Sequence, residues 1–408
     1  MDGTTRRRLA PHTRLGWLLI AQLALFSMLP QVASAQQECV GKTTEAANAA
    51  DRKYLWKLLQ ERDFKTLESE FRERQRRYES GAATDSEEPL IRAFFTFHSP
   101  SAAITPLLEE WQKSNPKSYA ARVALAFHQA ALGSTLRGSK AASQTSEEQM
   151  DAMTDAMVKA GSILGPSFDM TAKPIASYVL ALEIARYVGK RESIDAIYQR
   201  ALKADPKSAY ARQRYLLAID QRWHGSAEDV AAEIERARNS DLPADTKHFV
   251  AYQGYMTLAG AHAMMKEPDL RERALWAATP ECVYANPWQD LATLYNDTGQ
   301  WKKALDALDK YLALKPDQPW AIRRLAFAHE RLAEWPVALE LYKKAAEQGD
   351  AYAQNAYGWQ LFTGDHTTRN LEEAIRWFRS AADKGDANAK VNLEQALRQV
   401  PTQPSDKL

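Results

Sequence analysis

The chain has 408 residues, 45% of them hydrophobic and 26% charged, which supplies ample apolar surface for a folded core. Its formal net charge is +1, but residues 1–35 hold Arg6, Arg7, Arg8 and Arg14 against Asp2, which leaves −2 on the remainder. A balance this even lacks the basic excess that neutralises many phosphates, so it argues against wholesale nucleic-acid binding.

Residues 1–35 read as an export signal: a basic start (Arg6–Arg8), an apolar stretch from Leu15 to Leu29, and small residues at Ala33 and Ala35 before a cleavage point after Ala35. The apolar run is short for a bilayer span and Pro30 ends it, so no stable membrane insertion is expected after cleavage; a retained anchor is the alternative. A bacterial periplasm is the expected destination. Cys39 and Cys282 are the full cysteine count. In an oxidising compartment the simplest outcome is one disulfide, and two separate thiols is the other. The bridge would close a loop of about 240 residues, worth on the order of 5 kcal/mol in the chain-entropy model.

From about Thr43 the periodicity is helical almost throughout, with Leu55, Leu58, Leu59, Leu67 and Phe71 at spacings of three and four along their helices. Asp63 opens a second helix, Gly81–Ser86 breaks the pattern, and Pro89–Phe97 resumes it. Pro100 is expected to open a helix that turns Leu107, Leu108 and Trp111 inward. Asn115-Pro116-Lys117-Ser118, Asp205-Pro206-Lys207-Ser208 and Lys315-Pro316-Asp317 each stop one helix and start the next. An Arg follows each Pro at six residues (Arg122, Arg212) or seven (Arg323). Gly133–Thr145 reads as an irregular link, Ser146 with Gln149 as a capping box, and Ser226 with Asp229 as another cap. No stretch alternates long enough to argue for a strand.

Around Gln221–Ser226, two readings stand side by side. Arg137, Arg222, Trp223 and His224 either line a small-ligand pocket or clamp a turn between helix pairs. The segments SEEPLIRAFFTF (86–97), LLEEWQKSNPKSYAARVAL (107–125), LRGSKAASQTSEEQ (136–149) and RWHGS (222–226) resemble a bacterial family known as domain of unknown function 4034, over about residues 64–226. That family's pattern has Pro and Gly where this chain has Gln221 and His224. The resemblance implies a boundary and no activity.

From Ala285 the register sharpens. With Ala285 as position 1, Trp288, Leu291, Ala292, Tyr295, Ala304, Leu308, Tyr311 and Pro316 fall at 4, 7, 8, 11, 20, 24, 27 and 32. This resembles the tetratricopeptide template, in which small residues at 8 and 20 let two helices approach. A second unit starts at Pro319. YKKAAEQGDAYA (342–353) then recurs as FRSAADKGDANA (378–389), 36 positions on, and residues 353–385 resemble a Sel1-like repeat. In such units, positions 2, 5, 9 and 12 of the first helix face a groove: Trp320, Arg323 and Phe327, with Arg324 and Arg331 adjacent, suit a carboxylate-bearing peptide, while Gln289 and Asn296 suit backbone amides. The bland alternative is that Trp320 and Phe327 only pack between pairs. Residues 401–408 read as a polar tail.

Phosphate loops, HExxH and GxSxG are absent from the sequence, and neither Cys/His spacing nor paired carboxylates single out a metal or catalytic site. His262 and Glu267, five apart, would leave a continuous helix face. The expected protein is therefore an all-α solenoid of antiparallel helix pairs, irregular over 43–280 and regular over 285–400. Its expected role is non-enzymatic and cofactor-free: an exported adaptor for a protein or peptide. A small-ligand-binding protein and a cell-envelope enzyme are the alternatives.

Overall fold

The computed structural model describes residues 45–81, 86–138, 145–282 and 284–400. These form nineteen α-helices, and no strand occurs among the described residues. The first half holds α1 (Glu45–Gln60), α2 (Phe64–Ser80), α3 (Glu88–Phe95), α4 (Thr105–Ser114), α5 (Tyr119–Arg137), α6 (Glu147–Leu164), α7 (Ile175–Val188), α8 (Arg191–Ala204), α9 (Ala209–Ala218) and α10 (Ala227–Arg238). The second half holds α11 (Ala244–Met264), α12 (Pro268–Ala278), α13 (Asn286–Asp297), α14 (Trp301–Leu314), α15 (Pro319–Arg331), α16 (Trp335–Glu347), α17 (Ala351–Thr363), α18 (Leu371–Asp383) and α19 (Ala387–Leu397). Most helices pack mainly on their sequence neighbours, as in a solenoid, whereas α9 packs chiefly on α7 and α11. The expected signal peptide, Cys39 and the polar tail lie outside the described residues.

One turn geometry recurs along the chain. Arg62, Lys266, Gly299 and Ala333 take φ of 57°, 59°, 71° and 61°. The next residue then donates its N–H to the carbonyl five positions back: Asp63 to Leu58, Glu267 to His262, Gln300 to Tyr295 and Glu334 to His329, at 2.8–3.0 Å. This left-handed closure satisfies the last carbonyls of one helix while reversing the chain. The same reversal brings His262 Nδ1 to 2.8 Å from Glu267 Oε2, although a continuous helix would have separated them. His329 and Glu334 repeat the arrangement at 2.5 Å.

The helix-start expectations hold where a side chain caps. Ser118, Ser208 and Ser226 accept from the backbone N–H three residues on, and Ser146 and Gln149 close a capping box. The Arg residues six positions after Pro fold back: Arg122 Nη2 donates to Pro116 O at 3.4 Å and Arg212 Nη2 to Pro206 O at 2.9 Å. Two expectations are corrected. Helix α4 starts at Thr105 with Pro106 in its first turn, not at Pro100, which precedes a short 3₁₀ turn over Ala102–Ile104. Helix α5 runs four residues beyond Gly133, where the sequence suggested a link. A Cβ on Gly133 would meet Ala156 Cβ at 3.0 Å, so this glycine permits close approach of α5 and α6 and does not break the helix.

The first half departs from a one-dimensional stack. Glu87, fully buried before α3, accepts from Ser208 Oγ at 2.6 Å and from the N–H groups of Ala209 and Tyr210 at 2.6 and 2.9 Å. Tyr78 Oη donates to Asp205 Oδ2 at 2.7 Å. These bonds join α2 and α3 to the start of α9 across more than 120 residues, and one continuous core runs from Leu55 to Ala251. Burial pushes the Glu87 carboxyl up to about 7, although the Ser208 hydroxyl and the two N–H groups work in the other direction. The second half instead has successive small cores. There Ala292, Ala304, Ala326 and Ala338 are fully buried at the pair interfaces, as the register requires. Gly358 does the same work in the next unit, where a Cβ would meet Phe378 at 3.0 Å.

Candidate functional site

In the C-terminal array the first helices of successive pairs lie side by side. The Arg323 guanidinium carbon of α15 is 5.0 Å from the Tyr352 ring of α17, and Arg323 Nε is 3.1 Å from the carboxylate of Asp350, the α17 N-cap. Between α17 and α19, Asn392 Nδ2 donates to Asn355 Oδ1 at 2.8 Å. Equivalent second, fifth and ninth residues therefore form rows: Trp320, Arg323 and Phe327 on α15, then Tyr352, Asn355 and Trp359 on α17.

The residues expected from sequence divide by environment. Trp320 tilts against Tyr311 at 4.9 Å, and Phe327 meets Trp301 edge-on at 5.6 Å. Arg331 covers the same Trp301 at 5.5 Å. These rings are half-buried, so they both pack against the preceding pair and keep one edge open. Arg324 is half-buried and Gln289 is exposed. Asn296 is only 9% exposed and donates to Ala292 O at 2.8 Å, so it turns into its own pair and not onto the open face. Sequence reasoning missed Tyr352 and Trp359, which are 45% and 36% exposed. The signal was present: they occupy the positions of Trp320 and Phe327, one unit later. His366 is also placed, stacked 3.7 Å from Trp335.

The central residues gather at one turn but point in different directions. Arg137, from the end of α5, lies 5.3 Å from the Trp223 ring centroid. Arg222 instead binds Asp220 through Nε and Nη2, at 3.0 and 2.5 Å. His224 Nε2 is 2.9 Å from the carbonyl of Arg186. Arg222 and His224 thus fasten the turn, while Arg137 and Trp223 stay together. A separate trough of about 710 Å³ between α1, α2 and α3 is lined by Arg52, Arg74, Arg92 and Tyr210. Asp51 and Glu70 pair with Arg74 there, and Glu88 with Arg92, so those two cations are already met by local carboxylates. Among the described residues no cluster of His, Cys, Asp or Glu could hold a metal ion, and no helix is long and apolar enough to cross a membrane.

Pairs of this register, closed by left-handed turns and opened by alanine interfaces, define a helical-repeat protein of tetratricopeptide and Sel1-like type. Residues 285–328 match the tetratricopeptide repeat family, and residues 336–350 and 351–386 match the Sel1 repeat family. Helix α16 thus belongs with the Sel1 match, one helix earlier than the sequence period placed the change. The secretory immunoglobulin A-binding protein EsiB of Escherichia coli O6:H1 (strain CFT073) is 47% identical over 45 residues, 11% of this chain. The match spans 9% of that relative's length. Among solved structures, a Sel1 repeat protein from Oxalobacter formigenes aligns over 91% of this chain and 99% of its own, with 14% identity and a TM-score of 0.35. YrrB, described as a tetratricopeptide-repeat protein with an unusual peptide-binding site, aligns over 48% and 97%, with 14% identity and the same score. Repeats of these two kinds mark a protein–protein interaction scaffold.

Proposed function

We propose that the protein is an exported, non-enzymatic adaptor that binds an extended segment of a partner protein along the first-helix face of α13, α15 and α17. The observation that carries this is the pair of open rings on α17, Tyr352 and Trp359, in rows with Trp320 and Phe327 and flanked by Arg323 and Arg324. Rings that served packing alone would be buried; these leave flat apolar area beside cations, which suits a peptide with both apolar and acidic side chains. The short stretch shared with an immunoglobulin-binding protein supports a protein partner and does not name one. The likeness of residues 64–226 to domain of unknown function 4034 belongs to the same reading, as a module upstream of the array. So do export, cleavage after Ala35 and a Cys39–Cys282 bridge that ties the new N-terminus to the start of the array, where Cys282 is buried.

The test is a crosslinking pull-down from the native cell envelope with the parent protein and with Tyr352→Ala/Trp359→Ala. A partner captured by the first and lost by the second, at unchanged helicity, supports the reading. A partner captured equally by both removes the site from this face. Mass spectrometry of the exported chain checks the rest: a start at Gln36 and no thiol available to alkylation before reduction are expected, and a retained Met1 or two free thiols would contradict export processing or the bridge.

A further inference from the structure

Helix α19 is a first helix without a second. In the register of α17 its Ala387 is position 1, Val391 is 5 and Glu394 is 8. Glu394 stands where α17 has Gly358, the small residue that lets α18 approach, and it is exposed. The face that a second helix would cover is therefore charged and open. Pro401 and Pro404, in the PTQPSDKL stretch (401–408) outside the described residues, also oppose a helix there. The place where α19 hands over to this stretch lies beside α17. Arg369 Nη2 donates to Gln399 Oε1 at 2.5 Å, and Arg369 Nε donates to Phe362 O at 3.0 Å. The Phe362 ring lies 5.6 Å from that of Trp359. Further up the same two helices, Asn392 donates to Asn355.

The surface next to that point is apolar and neutral. Helix α17 (AYAQNAYGWQLFT) has no charged residue, and Tyr352, Trp359 and the neighbouring Val391 are 45%, 36% and 64% exposed. Residues 401–405, Pro-Thr-Gln-Pro-Ser, carry no charge either. A Pro-x-x-Pro stretch is biased toward the polyproline II helix and lays its rings on flat aromatic faces at low entropic cost. The reach also fits. With neighbouring helix axes about 10 Å apart and roughly five residues of rise between them, Val400 and Trp359 are about 12 Å apart. Four residues of polyproline II span about 12 Å. Tyr352 lies about 10 Å further along α17, within the span that residues 405–408 add. We propose that residues 401–408 fold back in cis over α17, with Pro401 and Pro404 leading to Trp359 and the rest toward Tyr352, and so cover the face that the partner uses. The competition rests on the adaptor reading; the docking itself does not. A tether this short gives an effective concentration in the mM range, so a contact with Kd of about 1 mM covers the face at least half the time and weakens a competing partner about two-fold or more.

A photoreactive phenylalanine analogue in place of Thr402, in the dilute purified chain, tests the docking. Irradiation should join it, within one chain, to the tryptic peptide 345–369 that holds α17. Trp359→Ala should cut that yield by at least about three-fold, and so should Pro401→Ala/Pro404→Ala, which leaves every described residue intact. Val337→Ala, on the second helix α16, should not change it. A yield spread evenly over other peptides, a crosslink joining two chains, or a yield indifferent to the tryptophan and proline substitutions would overturn the proposal. Removing residues 401–408 should then raise capture of the envelope partner about two-fold or more. A partner captured equally with and without these residues would overturn the competition. A partner absent from both, with the in-chain crosslink present, would count against the adaptor reading and leave the docking in place.

Discussion

Glu183→Gln probes the charge cluster that holds the first half together. Glu183 on α7 is only 4% exposed, with its carboxylate 3.0 Å from His98 Nε2 and 3.4 Å from Arg214 Nη2. Burial opposes the charge, yet Arg214, His98 and Arg186 outweigh it and hold the carboxyl at about 2, against 4.5 for an ordinary Glu. That depression contributes about 3 kcal/mol at neutral pH, present above pH 4.5 and lost as pH falls toward 2. Glutamine removes it and leaves Arg214 without its carboxylate, for which buried pairs broken on one side give a cost of about 3–5 kcal/mol. Denaturant unfolding followed by helical circular dichroism should show a deficit of about 3 kcal/mol or more at pH 7. By pH 3.5 the deficit should have shrunk by about 1 kcal/mol, because the parent has begun to lose the same term. A variant as stable as the parent at pH 7, or a deficit identical at pH 7 and 3.5, would refute the reasoning.

Three further outcomes follow from backbone and burial. Ala333→Gly should raise stability by about 0.5–1 kcal/mol, because Ala333 holds φ at 61° where only glycine is unstrained; an unchanged or lower melting temperature would contradict the strain. Gly225→Ala should destabilise by about 2 kcal/mol or more, since its Cβ would fall 1.9 Å from Ile219 O; a neutral result in thermal melts would contradict the turn geometry. Glu87→Gln should flatten the parent's pH profile. With its folded carboxyl raised to about 7, Glu87 contributes stability that is present below pH 4.5 and lost as pH rises to 7, by up to about 3 kcal/mol. A parent and variant with parallel profiles from pH 4.5 to 7.5 would contradict that assignment.

The array was legible because its physics is periodic. Alanines at 8 and 20 and large residues at 4, 7, 11 and 24 must recur wherever two helices of a pair meet, and they do in Ala292, Ala304, Ala326 and Ala338. Caps were legible for a similar reason, since Ser118, Ser146, Ser208 and Ser226 act on residues three away. What stayed hidden depends on distance or on context. Glu87 reaches Ser208 across 121 positions, and no local pattern encodes that bond. Gly133 resembled a breaker until the α6 side chains facing it were known. His262 and Glu267 looked unable to meet because the left-handed turn at Lys266 was not anticipated. In the central turn, sequence proximity grouped Arg222 and His224 with Trp223, whereas Arg186, which shares the indole with Arg137, lies 37 positions upstream. Along the array, Tyr352 and Trp359 were readable by extending the first-helix positions one unit further.

The central claim is that the first-helix face of the array is where a partner protein docks. A photoreactive phenylalanine analogue placed at Trp359, and separately at the exposed Val337 on the second helix α16, tests it in the native cell envelope. The account predicts a protein crosslink from position 359 that is absent from position 337. A crosslink of equal yield from both positions, or from 337 alone, would contradict it.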